Sequence, residues 1–203
     1  MRISAYEGRA KGDGAESAAA NRVVHLRLLL RQPSDREVRP CPGCAVACAC
    51  ARRSTTCCCG CAPDCPNVPA MLTSDPERYR LEPRVTPLVY ALTCLRVVET
   101  CWSCEGHADE AGKVIKSPQV WFYAEDPVYP MLIAQHAQDL HVRKRLRRPW
   151  RVDVLPYSAC DCTTFALRPV SIHGAGLREL QDDLDRLAEN LVDSVRRLAR
   201  DAA

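Results

Sequence analysis

Nine of the fourteen cysteines in this 203-residue chain fall between Cys41 and Cys65, and no other feature limits its folding as sharply. The run reads Cys41-Pro-Gly-Cys44-Ala-Val-Ala-Cys48-Ala-Cys50, then, after six residues, Cys57-Cys58-Cys59-Gly60-Cys61-Ala-Pro-Asp-Cys65-Pro66. A secreted disulfide scaffold spaces its cysteines so that bridges close sizeable loops, whereas neighbours such as Cys57, Cys58 and Cys59 cannot all bridge one another. Large apolar residues are nearly missing here, and Pro40, Pro42, Pro63, Pro66 and Pro69 bracket the run. Such a segment has no means of folding by burial and is expected to fold around metal ions.

The nine thiolates exceed one tetrahedral site, so several ions share bridging sulfurs or some thiols stay out of the coordination shell. Cys41 and Cys44 form the plainest knuckle, since two ligands separated by two residues, one a glycine, let the turn point its amides at sulfur. Zinc is the expected metal, with an iron–sulfur cluster as the alternative and monovalent copper behind both, because all three favour thiolates. Spacing separates them. Cys58, Cys61, Cys65 and Pro66 match the last three cysteines and the proline of a bacterial ferredoxin motif, but Thr55 stands where the first cysteine belongs. Cys41, Cys44 and Cys48 carry the radical-initiating cysteine spacing in reversed order.

The formal charge of +3 is too small to argue by itself for nucleic acid or an anionic membrane. Glu7, Asp13 and Glu16 and the short Leu28-Leu29-Leu30 run give no secretory signal, so reduced thiols and a cytoplasmic location are expected. No stretch approaches the roughly 20 apolar residues of a membrane helix. Three parts follow: residues 1–39 as a flexible N-terminal segment, 40–70 as the cysteine-rich metal-binding module, and 71–203 as an α+β domain with a long C-terminal helix. Within the first part, Val23 to Leu30 fits a short helix and an edge strand equally well.

In the third part, Val85, Leu88, Val89, Leu92 and Leu95 predict a helix over Pro83 to Arg96. Val97 to Thr100 and Gln119 to Ala124 read as two strands of a hairpin with a long loop. Leu132, Ile133, His136, Leu140 and Leu146 predict a second helix over Tyr129 to Arg147, with basic residues suiting the dipole at its end. Trp150 to Leu155 and Thr163 to Val170 alternate as strands. Leu177, Leu180, Leu184, Leu187, Leu191, Val195 and Leu198 mark one long amphipathic helix. This αββαββα order predicts a four-stranded, largely antiparallel sheet with helices against one face.

A second constellation lies in Thr100-Cys101-Trp102-Ser103-Cys104-Glu105-Gly106-His107. Cys101, Cys104 and His107 can supply three ligands to one zinc, with Cys160 or Cys162, from the loop between the last two strands, completing it. A redox pair at Cys101 and Cys104 would need the motif to open a helix, which Gly106 and the polar loop oppose. Cys104 and His107 are also the catalytic candidates, as nucleophile and base. The plainest reading is a thiol packed under a glycine turn.

The Ser103-Cys104-Glu105-Gly106-His107 turn, with its preceding helix and strand and the following Val120-Trp121-Phe122 strand, resembles uncharacterised bacterial proteins with a Ser-Cys-x-Gly-His turn before an aromatic strand. That resemblance spans roughly Pro87 to Val170 and implies no particular activity. Ser103, Cys104 and Gly106 also look like the Ser-Cys-Ser-Gly-Arg turn of the wybutosine-synthesis methyltransferase family, from which Glu105 and His107 depart. This second resemblance implies S-adenosylmethionine as a partner.

Arg143, Lys144, Arg145, Arg147, Arg148 and Arg151, beside Trp150, could lie along a phosphate backbone, but a solvated helix end is the preferred reading. His136 and His141 read as core or surface histidines. The last helix could pair with a second copy, although the sheet needs a cover, and oligomeric state stays open. The sequence thus describes a metal-binding protein, zinc-type, with a thiol- or metal-dependent enzyme acting on a nucleotide or RNA as the alternative.

Overall fold

The predicted helical face of Val85, Leu88, Val89, Leu92 and Leu95 forms and is buried throughout. Pro87 sits in the first turn, where its missing N–H costs nothing, and Arg96 at φ 62 ends the run. The structure, a computed structural model, describes residues 13–31, 72–73, 82–155 and 163–202. All nine cysteines from Cys41 to Cys65, and Cys160 and Cys162, lie outside the described residues. In chain order the elements are α1 (Asp13–Arg31), β1 (Leu72–Thr73), α2 (Thr86–Thr93), β2 (Val98–Cys104), β3 (His107–Ala108), β4 (Val114–Lys116), β5 (Gln119–Ala124), α3 (Val128–Val142), β6 (Trp150–Val154), β7 (Thr164–Pro169), α4 (Leu177–Ala188) and α5 (Leu191–Asp201).

The fold is α+β. Four antiparallel strands run in the order β2-β5-β7-β6, and the two-residue β1 adds a parallel edge beside β2. Cross-strand register places Val98, Thr100 and Ser103 on one face with Val120, Phe122, Ala124, Phe165, Leu167 and Val152. That face joins the helices in one core, where Thr93 of α2 hydrogen-bonds Thr100 through their hydroxyls at 3.3 Å. Trp102, Cys104, Gln119, Trp121, Tyr123, Arg168, Arg151 and Asp153 take the opposite face. A register shift between Thr100 and Trp102 makes this switch possible, with Cys101 as the extra residue of the bulge.

Several sequence expectations need correcting. The single long C-terminal helix is two: Asn190 adopts φ 55, a left-handed conformation asparagine tolerates, and α5 turns onto α3. Buried Leu180, Leu184 and Leu187 serve the first, and Leu191, Val192, Val195 and Ala199 the second. The second predicted helix stops at Val142 because Lys144 takes φ 57, so the basic residues follow the helix instead of ending it. The first strand runs on to Cys104, and the hairpin loop contains a small ribbon of its own, β3 with β4. The order αββαββα is therefore augmented by α1, β1, β3, β4 and the split helix.

Residues 13–31, within the stretch read as a flexible segment, form a helix. Leu26 and Leu29 are fully buried, each contributing about 2 kcal/mol by removal from water. His25 Nδ1 lies 3.0 Å from the Tyr129 hydroxyl and Nε2 3.6 Å from Asp126, tying α1 to the start of α3. Burial, followed by the charges of Asp126 and Glu125, pushes the Tyr129 hydroxyl up to about 12. No helix among the described residues is long and apolar enough to cross a membrane.

Candidate metal centre

The turn opening α2 fixes Glu82. Its carbonyl accepts hydrogen bonds from Val85 N (3.3 Å), Thr86 N (3.2 Å) and Thr86 Oγ1 (2.8 Å). Its side chain, 2% exposed, reaches the end of β2, where Oε2 accepts Glu105 N at 2.6 Å. Glu105 returns the contact, its Oε2 accepting Arg84 N at 2.8 Å, and Gln181 of α4 donates to its carbonyl at 3.3 Å. Two backbone segments far apart in sequence are thus clipped together by reciprocal carboxylate-to-amide bonds, a charge-assisted and hence strong type.

Cys104 closes β2 fully buried, and its Sγ accepts Gly106 N at 3.3 Å. Gly106 adopts φ +86, and a Cβ there would come within 2.9 Å of both Leu177 Cδ1 and Pro118 Cδ. Only glycine suits both demands. The turn it makes delivers His107 into β3, paired with Lys116 of β4, with its side chain 40% exposed and Nε2 3.4 Å from Glu82 Oε1.

Glu82, Cys104 and His107 therefore bring a carboxylate, a thiol and an imidazole together, their ligand atoms all within 4.8 Å of one another. This group could hold a metal ion. Tetrahedral zinc sets its donors about 3.3–3.8 Å apart, a separation that His107 Nε2 and Glu82 Oε1 already have at 3.4 Å. Two of the three positions were legible in the sequence. Glu82 was not, and its one local signal is an acidic residue in the turn that leads into α2. Cys101 belongs to the bulge and is not a member of this group, and Cys160 and Cys162 lie outside the described residues.

The basic stretch after α3 is largely tied down. Arg145 pairs with Glu189 (3.2 Å), Arg148 with Glu179 (3.2 Å), and Arg151 with Asp153 (2.9 Å), while the backbone amides of Arg147 and Arg148 bond Asp183. His136 is buried, with Nε2 3.0 Å from the Leu187 carbonyl oxygen. Compared with known proteins, the chain matches no family model, no curated protein and no solved structure.

Proposed function

We propose that the chain is a zinc-binding protein with one centre at Glu82, Cys104 and His107 and further ions in the Cys41–Cys65 segment, in a reducing, cytoplasmic setting. The observation that carries this is the meeting of three different ligand types from separate backbone positions within 4.8 Å, two of them buried. Mixed oxygen, sulfur and nitrogen donors suit zinc, whereas iron–sulfur clusters are held chiefly by thiolates. The cluster alternative is thereby confined to the cysteine-rich segment. On this reading the Ser-Cys-x-Gly-His turn carries two of the three ligands, Cys104 and His107.

A second reading uses the same residues. His107 lies against the Glu82 carboxylate and beside Cys104, the arrangement of a thiol nucleophile with an oriented base. Full burial of Cys104 weighs against substrate access and places this reading second.

Metal content, thermal midpoint and alkylation rate measured for wild type, Glu82→Gln, Cys104→Ser and His107→Ala separate the two. The zinc reading expects a colourless protein with about two or more equivalents, each variant losing about one. Cobalt substitution should give a thiolate charge-transfer band that Cys104→Ser removes. Unchanged metal with lost rapid alkylation in Cys104→Ser would move the assignment to the nucleophile. A brown protein absorbing near about 400 nm would give the cysteine-rich segment to iron and sulfur.

A further inference from the structure

The sheet face turned away from the helices carries a feature that a metal centre does not need. Trp102 of β2 and Trp121 of β5 are register partners there, with ring centroids 4.7 Å apart and planes tilted by 45°. Both stay partly exposed, although the core on the other face takes Phe122 and Phe165. Gln119 Oε1 accepts the Trp121 indole N–H at 3.0 Å and so fixes that ring. Lys116 Nζ sits 5.1 Å from the centre of the Trp102 ring, and Tyr123 follows Trp121 two residues along the same strand and face.

The charges around these rings are mostly positive. Arg151 and Arg168, cross-strand partners on the same face, both donate through Nε to Asp153 Oδ2, at 2.9 and 2.6 Å. One carboxylate thus aligns two guanidinium groups while their terminal nitrogens make no hydrogen bond among the described residues. With Lys116, three cations share this face with two anions, Asp153 and Glu99, the cross-strand partner of Tyr123. Fixed aromatic rings bordered by cations match the two parts of a single-stranded nucleic acid, since bases stack on rings and phosphates meet lysine and arginine. A duplex hides its base faces and offers only its phosphates.

We propose that this face is a stacking platform for single-stranded nucleic acid, with Trp102 and Trp121 receiving bases and Lys116, Arg151 and Arg168 meeting phosphates. The platform needs no metal, so it goes beyond the zinc reading and stands or falls separately.

The test uses the full chain, with and without chelator, titrated against a labelled oligothymidylate of about twelve nucleotides and a blunt duplex of equal length. Tryptophan fluorescence should be quenched by the single strand, which should bind about tenfold more tightly than the duplex, with or without chelator. The logarithm of affinity should fall with that of salt at a slope of about −2, as three phosphate contacts require. Trp121→Ala and Trp102→Ala should each lose about tenfold, whereas Trp121→Phe, which keeps a stacking face, should lose far less. Lys116→Glu should lose about threefold or more. It alters a partly exposed side chain and keeps the test decisive if an alanine variant fails to fold. Absence of quenching at low salt, equal binding of duplex and single strand, or affinity unmoved by Lys116→Glu and Trp121→Ala would each overturn the proposal. Self-association that itself quenches the tryptophans would also overturn it, assigning the face to a second copy.

Discussion

Glu82 and Asp183 are both buried carboxylates, yet they are surrounded in different ways. Asp183 of α4 is fully buried. Its Oδ1 accepts Arg147 N at 3.0 Å and Arg186 Nη1 at 3.3 Å, and its Oδ2 accepts Arg148 N at 3.1 Å and the Trp150 indole at 3.3 Å. Four N–H donors answer it, none of them a metal ligand as it stands. Glu82 accepts the Glu105 amide and lies beside two side chains, His107 and Cys104, of types that can ligate a metal ion. Burial alone does not distinguish a brace from a site. The chemistry of the neighbours does, because N–H groups can only donate while thiolate, imidazole and carboxylate can jointly replace the hydration shell of an ion.

The comparison breaks most visibly at Asp183. Asp183→Ala strands two backbone amides and an indole, and should cost about 3 kcal/mol or more in denaturant unfolding. Metal content should be unaffected. A cost below about 1 kcal/mol would mean that the turn after α3 is held by something other than this carboxylate.

Gly106→Ala should come next, at about 2 kcal/mol, since it combines a strained left-handed conformation with close contacts at Leu177 and Pro118. Because the same turn aims His107, the proposed centre should lose its metal along with stability. A variant that keeps its zinc would separate the turn from the centre.

Glu82→Gln sharpens the contrast with Asp183. Glutamine keeps an oxygen for Glu105 N, so metal-free protein should change by about 1 kcal/mol or less, while about one equivalent of zinc is lost. Comparable destabilisation at both carboxylates in metal-free protein would erase the distinction.

The smallest effect is pH dependence from His136. Burial, only partly offset by the hydrogen bond to Leu187, holds its imidazole below the ordinary 6.5. The folded state therefore prefers the neutral ring. This contribution to stability is complete above the ordinary histidine value and is lost as pH falls from there through the lower folded value. Replacing His136 with glutamine should flatten thermal midpoint against pH across that window, and an unchanged slope would assign the acid sensitivity elsewhere.

The core was legible in the sequence where periodicity and burial coincide. Val85 to Leu95, the alternation of Val120, Phe122 and Ala124, and Leu180, Leu184 and Leu187 all read correctly because one face of each element is apolar. The breaks were not, because they rest on single backbone conformations. Asn190 and Lys144 end their helices at positive φ, and nothing in the apolar spacing around them marks those positions. Cys104 and His107 were visible as residues of metal-binding type at close spacing. Glu82 was invisible because its approach to Cys104 depends on how α2 packs beside β2, a long-range relation that local pattern does not encode. Cys101 has the spacing of a ligand, and the bulge in which it sits is written in no motif.

The packing of α1 against α5 also bears on how the chain is made. A ribosome releases α1 well before α5, so Leu26 and Leu29 emerge before Val192, Val195 and Ala199 exist to help cover them. During that interval the first helix lacks the tertiary packing that would hold it, and its leucines stay uncovered. Completion of this core therefore waits for α5, and until then the two leucines depend on whatever else can shield an unfinished hydrophobic surface.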